Sequence, residues 1–290
     1  MTMTSFDLND EKNYQIWREK KLATFPQKIE DLLVEVRNPK HLTTNEHREI
    51  LARCQKANMA IYLSKYTEED KEIPRLLGEQ FGLKNLDNNP HADDDAISAI
   101  RVTENQSKKA YIPYTNRPIH WHTDGYYNEP TKQIRGMVLH CVSPAFQGGG
   151  NALLDHEIAY ILLRDKNPDF IRVLMQPDAM TIPPNDDITT QIRKARSGAV
   201  FSIDESGHLH LRYTKRKRSI IWKENTVEAV KYLESILEDL QSPYVFRATL
   251  QAGWGLICNN VLHDREGFED NAEKPRLLYR ARYYQRISET

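Results

Sequence analysis

From about residue 96 to the C-terminus the chain is written in short β-prone segments broken by turns, which restricts it to folds with a strand-rich core. Residues 134–142 form one apolar β-prone run, and Gln147-Gly148-Gly149-Gly150 breaks the pattern after it. Residues 200–213 predict a hairpin. Phe201 and Ile203 precede a turn at Asp204-Glu205-Ser206-Gly207, and then Leu209, Leu211 and Tyr213 alternate with His208, His210 and Arg212. The stretch from Tyr244 to Arg286 is again β-rich. The first part reads as helical. Thr43 and Glu46 have capping-box spacing ahead of Ile50, Leu51 and Cys54. Residues 58–63 predict a short buried strand, and Glu68 to Phe81 a further helix. Asp155 caps a helix carrying Ile158, Ile161 and Leu162, and Asn225 with Glu228 starts another. Helices around a strand-rich middle and end predict an α+β fold with a β-sandwich or jelly-roll core.

Composition narrows the function. Lys and Arg total 40 against 41 Asp and Glu, so the surface lacks the positive excess that nucleic-acid binding needs. Lys215-Arg216-Lys217-Arg218 is the one basic cluster, and it reads as a solvated loop. No apolar run approaches the roughly 18–20 residues of a membrane span. The first seven residues show no positive cluster before an apolar stretch, and three scattered cysteines suit free thiols. The expectation is a cytoplasmic protein with no membrane or nucleic-acid partner.

The chemistry concentrates in Ile119-His120-Trp121-His122-Thr123-Asp124-Gly125. Residues two apart on a strand share a face, so His122 and Asp124 can address one atom. A bare His-x-Asp is weak evidence, and a surface His beside a turn Asp explains most such pairs. Downstream, Asn259-Asn260-Val261-Leu262-His263 supplies a second imidazole at a strand end. Two His and one carboxylate leave open octahedral positions, as in non-haem Fe(II) oxygenases. Arg276 and Arg280 then stand four apart, on one face of an extended strand, and can hold a dicarboxylate such as 2-oxoglutarate.

With these residues in their order, the sequence resembles the taurine dioxygenase-like (TauD/TfdA) family of Fe(II)/2-oxoglutarate-dependent dioxygenases. The resemblance rests on Trp121-His122-Thr123-Asp124, the Gly-Gly turn followed by Ala159-Tyr160, the hairpin through Tyr213, His263, and Arg276-x-x-x-Arg280. It implies a double-stranded β-helix core in one domain over 1–290, with 1–95 as mainly helical support. It implies Fe(II) on His122, Asp124 and His263, with 2-oxoglutarate and O2 as cosubstrates. Arg276 would take the distal carboxylate of 2-oxoglutarate, with Asn151 in the place where the family often has a Thr. Arg280 would face the cosubstrate or an anionic group on the substrate. Trp121 and Tyr126, beside the metal motif, are candidates for lining the substrate pocket or for core packing. The implied reaction is oxidation, foremost hydroxylation, of a C–H bond in a small polar or anionic molecule, with 2-oxoglutarate leaving as succinate and CO2. The supporting helices leave a homo-oligomer as a candidate assembly.

Other readings stay open at this point. His120 shares the parity of His122, but a cupin-type site wants a Glu shortly after, and positions 126 and 127 are Tyr. His120 is read as structural or as a neighbour of the ligands, His140 and His156 as structural, and His208 and His210 as solvated or hydrogen-bonded. A cupin-like oxygenase that does not use 2-oxoglutarate and a non-catalytic relic of the fold are the rivals.

Overall fold

Two facing sheets carry the chain. The computed structural model describes residues 5–88, 95–104, 111–184, 194–216, 220–271 and 273–290. The larger sheet has six strands, in the order Leu33–Glu35, Met59–Leu63, Trp254–Cys258, Gly136–Ser143, Leu277–Tyr283, Ser98–Ile100. The smaller has four, in the order Phe246–Ala248, Asn151–Leu154, Leu262–Arg265, Ile119–His122. Leu33–Glu35 pairs in parallel with Met59–Leu63; every other pairing within these two sheets is antiparallel.

Period-2 alternation decides which side chains meet between the sheets. In the larger sheet Met59, Ile61, Met137, Cys141, Leu256 and Leu278 point into one apolar core. Their neighbours Ala60, Tyr62, Val138, Ile257, Tyr279 and Ala281 point into a second core on the outer face. Helices Thr44–Ala57 and Glu72–Gln80 cover that outer face, through Ile50, Cys54 and Leu77. Leu153 and His263 of the smaller sheet meet Ile61, Leu139 and Leu256 of the larger one across a small apolar cavity.

Most local expectations match these elements. Thr43 caps its helix with a reciprocal capping box to Glu46, and Asn58 ends it in the left-handed region (φ 58°). Asp155 caps helix His156–Lys166 by accepting from the Glu157 N–H. The hairpin forms with Phe201 opposite Leu211 and Ile203 opposite Leu209. Gly148 and Gly149 make their turn at φ 75° and 74°, which a side chain would resist.

Four details differ. The helix expected from Glu68 starts at Glu72, because Pro74 has no N–H and belongs in a first turn. Asn225 lies inside a 3-10 turn, Glu224–Thr226, and helix Val227–Glu238 follows with Thr226 before it. His210 is buried rather than solvated, because helix His156–Lys166 packs on its strand. Residues 1–95 supply, besides the expected strand Met59–Leu63, a second strand of the larger sheet, Leu33–Glu35. Lys217 and Arg218 lie outside the described residues, and Lys215 is paired with Glu238.

Candidate active site

The smaller sheet brings the two histidines together. His122 ends strand Ile119–His122 and pairs directly with His263 on Leu262–Arg265. Their ring centroids are 4.3 Å apart. Asp124 follows two residues on, and its Oδ1 is 4.0 Å from His122 Nε2. One potential ligand atom from each of His122, Asp124 and His263 lies within 4.8 Å of the others; among the described residues this is the group of acidic, His and Cys side chains so arranged.

The hydrogen bonds around these side chains fix which atoms are free. His122 Nδ1 is 2.9 Å from the His120 carbonyl, and His263 Nδ1 is 2.8 Å from that of Val261. A carbonyl cannot donate, so each Nδ1 carries the hydrogen and each Nε2 keeps its lone pair. Asp124 Oδ2 is buried without a hydrogen-bond partner. Two imidazole lone pairs and one unpartnered carboxylate oxygen fit a divalent cation, since burying such an atom unpaired is otherwise unfavourable. Burial and the neighbouring His263 push His122 down to about 3, so it stays neutral and able to ligate at physiological pH. Burial pushes Asp124 up, but Arg280 and then Arg282 outweigh it and hold the carboxyl below the usual range.

The backbone of Asp124 is held as well. Asn260 Oδ1 accepts from the Asp124 N–H (2.8 Å), and Asn260 Nδ2 donates to the Asp124 carbonyl (3.0 Å) and to that of Ile134 (2.6 Å). Asn260 itself sits at φ 51°, a conformation that Asn tolerates better than most residues. This clamp ties Asp124 to the segment that carries His263 three residues later.

Guanidiniums surround the rest of the cavity. Arg265, Arg276 and Arg280 line it with His122, His263, Asn151, Ile119 and Leu278. Arg280 Nη1 donates to Asp124 Oδ1 at 3.1 Å. Arg276 Nη1, Arg280 Nε and Arg265 Nε are buried without hydrogen-bond partners. Burial, with Arg276 and Arg280 as like charges, pulls Arg265 down to about 9. A cavity of cations with unmet N–H groups is built to receive an anion. Asn151 lines it too, while its Nδ2 donates to the Asp264 carbonyl at 2.6 Å.

His120 does not share the face of His122. The register slips between the pair His263–His122 and the pair Arg265–Ile119, a β-bulge that places Ile119 in the cavity wall and leaves His120 exposed. Trp121 is buried in the apolar core, and Tyr126 packs at its edge beneath Arg216, 5.9 Å from the ring. Neither lines the cavity that holds His122 and His263. Sequence reasoning passed over Arg265 and Asn260. Arg265 had a signal, its strand parity with His263; Asn260 had the signal of an Asn pair in the bend between two strands.

The family described as "Taurine catabolism dioxygenase TauD, TfdA family" matches residues 35–282. The chain belongs to the TauD/TfdA family. Two curated relatives are each named uridine-5'-phosphate dioxygenase. The one from Amycolatopsis sp is 30% identical over 175 residues, 56% of this chain and 60% of that protein. The one from Streptomyces sp is 29% identical over 204 residues, 66% of this chain and 70% of that protein. The match therefore spans under two thirds of the length of the Amycolatopsis relative. Among solved structures, an asparagine oxygenase with Fe(II), hydroxyasparagine and succinate superposes with a TM-score of 0.61 at 13% identity, covering 83% of this chain and 80% of that one. The non-haem iron oxygenase OrfP with Fe and α-ketoglutaric acid gives 0.58 at 12% identity, covering 83% of this chain and 80% of that one. At such identities these structures establish the shared fold.

Proposed function

We propose that this TauD/TfdA chain is an Fe(II)- and 2-oxoglutarate-dependent dioxygenase that hydroxylates a C–H bond of a small anionic molecule. The observation that carries the reading is the meeting of two Nε2 lone pairs and an unpartnered carboxylate oxygen beside buried guanidiniums. The core is a double-stranded β-helix within one domain over 1–290. His122, Asp124 and His263 hold the metal. Bound Fe(II), with O2 and 2-oxoglutarate, supplies an oxidant for C–H bonds while 2-oxoglutarate leaves as succinate and CO2. Arg276 takes the distal carboxylate of 2-oxoglutarate through its free Nη1, with Asn151 in the adjoining wall. Arg280 steadies Asp124 with Nη1 and turns its free Nε to a bound anion. Ile119 and Leu278 keep water from the reacting centre.

The names of the two curated relatives make a nucleoside 5'-monophosphate the first substrate class to try. The test is succinate release from 2-oxoglutarate under air, with Fe(II), across nucleoside monophosphates, amino acids and sulfonates. Release that needs both Fe(II) and 2-oxoglutarate, and rises above background with one substrate class, is the expected result. Turnover indifferent to 2-oxoglutarate would overturn the reading.

A further inference from the structure

Asp124 has a second cation beside it that the site chemistry above leaves unused. Arg282 follows Arg280 by two residues on the same strand face, and its Nη1 is 4.0 Å from Asp124 Oδ1. Arg282 is 3% exposed, so its charge needs a counter-ion within the protein. Asp87 provides it. Arg282 Nη2 donates to Asp87 Oδ2, and Nη1 donates to the Tyr127 hydroxyl at 3.0 Å. Asp87 is itself fixed, since its N–H donates to the Arg282 carbonyl (2.8 Å) and its Oδ1 accepts from the Tyr284 hydroxyl (2.6 Å). Asp87 is distant in sequence from Asp124 and Arg282, yet it lies one side chain away from Asp124.

We propose that Asp87 and Arg282 are a positioning pair that sets how strongly Asp124 binds the metal, an inference that rests on the metal reading above. With Asp87 in place, Arg282 is held by two partners and its charge is partly balanced, and Asp124 keeps Oδ2 and its negative charge for the cation. Without the Asp87 charge, a bare guanidinium 4.0 Å away draws the carboxylate toward itself and repels a divalent ion in the same cavity. Partners one step behind a metal ligand commonly change metal affinity by about 10–100-fold.

The test is anaerobic titration of the full chain with Co(II), read by its visible absorption, with circular dichroism to check folding. Asp87→Asn is expected to bind Co(II) about tenfold more weakly than wild type. Asp87→Asn with Arg282→Met removes both charges and is expected within about threefold of wild type. Tyr284→Phe touches Asp87 but neither charge, and is expected within about twofold. Folded Asp87→Asn protein with wild-type affinity would overturn the proposal. So would a double variant as weak as the single one, since that outcome makes residues 85–87 a packing element only. If Asp87→Asn alone does not fold, the double variant decides on the same criterion. Wild-type protein that binds no Co(II) would overturn the metal reading and this inference with it.

Discussion

Two buried charged clusters in this molecule are organised in opposite ways. Between helices Glu11–Thr24 and His156–Lys166, Lys21 sits 2.6 Å from Asp155 and 2.5 Å from Glu157, with side chains at most 13% exposed. Every charge of that trio has an opposite within hydrogen-bond distance, and Asn58 adds a donor to Asp155 at 2.8 Å. Around His122 and His263, by contrast, three guanidiniums and one carboxylate each keep a buried atom without a partner. Burying a charge is tolerable when it is paired, so the first cluster fastens two helices together, although both ring nitrogens of the adjoining His156 are buried without hydrogen-bond partners. The second leaves donors and an acceptor over, which the proposed metal and anion would satisfy. An excess of like charge, three guanidiniums around one cavity, separates the site from the strut.

Breaking each cluster should therefore give opposite phenotypes. The largest effect is expected at the ligands: His122→Ala or His263→Ala abolishes metal binding and 2-oxoglutarate turnover, while melting by circular dichroism shows the fold intact. Lys21→Met comes next. It leaves two buried carboxylates facing one another and should destabilise the protein by about 3–5 kcal/mol in chemical denaturation, with Co(II) affinity unchanged. Arg276→Met should do the reverse. It removes a buried cation without a partner on its Nη1, so melting temperature holds or rises. The 2-oxoglutarate needed for half-saturation should rise on the order of ten- to hundredfold, the equivalent of about 1.5–3 kcal/mol for a charge-assisted contact.

The smallest effect is in acid. Burial pushes Glu157 up, but Lys21, His156 and Arg286 together outweigh it and hold the carboxyl at about 2, against an ordinary value of 4.5. A depressed value means the contribution is complete above pH 4.5 and disappears as pH falls toward 2. Urea denaturation across that window should show a loss of stability that Lys21→Met flattens.

Much of the site could be read before any coordinates, because it depends on identity and parity. His122, His263, Arg276 and Arg280 all line one cavity, and Asp124 meets the two histidines and Arg280 at its edge. What escaped depends on partners far along the chain. The bulge that turns His120 outward arises from pairing with Leu262–Arg265, and no property of residues 119–122 announces it. Alternation in the hairpin marks two faces but not what covers each, so buried His210 read as solvated or hydrogen-bonded. Asp87 looks like an ordinary turn acid until Arg282 is seen beside it. The parallel pairing of Leu33–Glu35 with Met59–Leu63 was likewise hidden, as three residues carry too little pattern to identify a strand.

The extra residue in strand Ile119–His122 separates two jobs that a regular ladder would couple. Above the slip, the chain must keep its imidazole in register with its counterpart. Below it, the wall of the cavity is free to be redrawn. Removing Ile119 itself would set His120 opposite Arg265 and swap an aliphatic wall for an imidazole one without touching the metal-facing side chains, so the contour offered to an incoming molecule can be retuned by a change of length as well as by a change of chemistry.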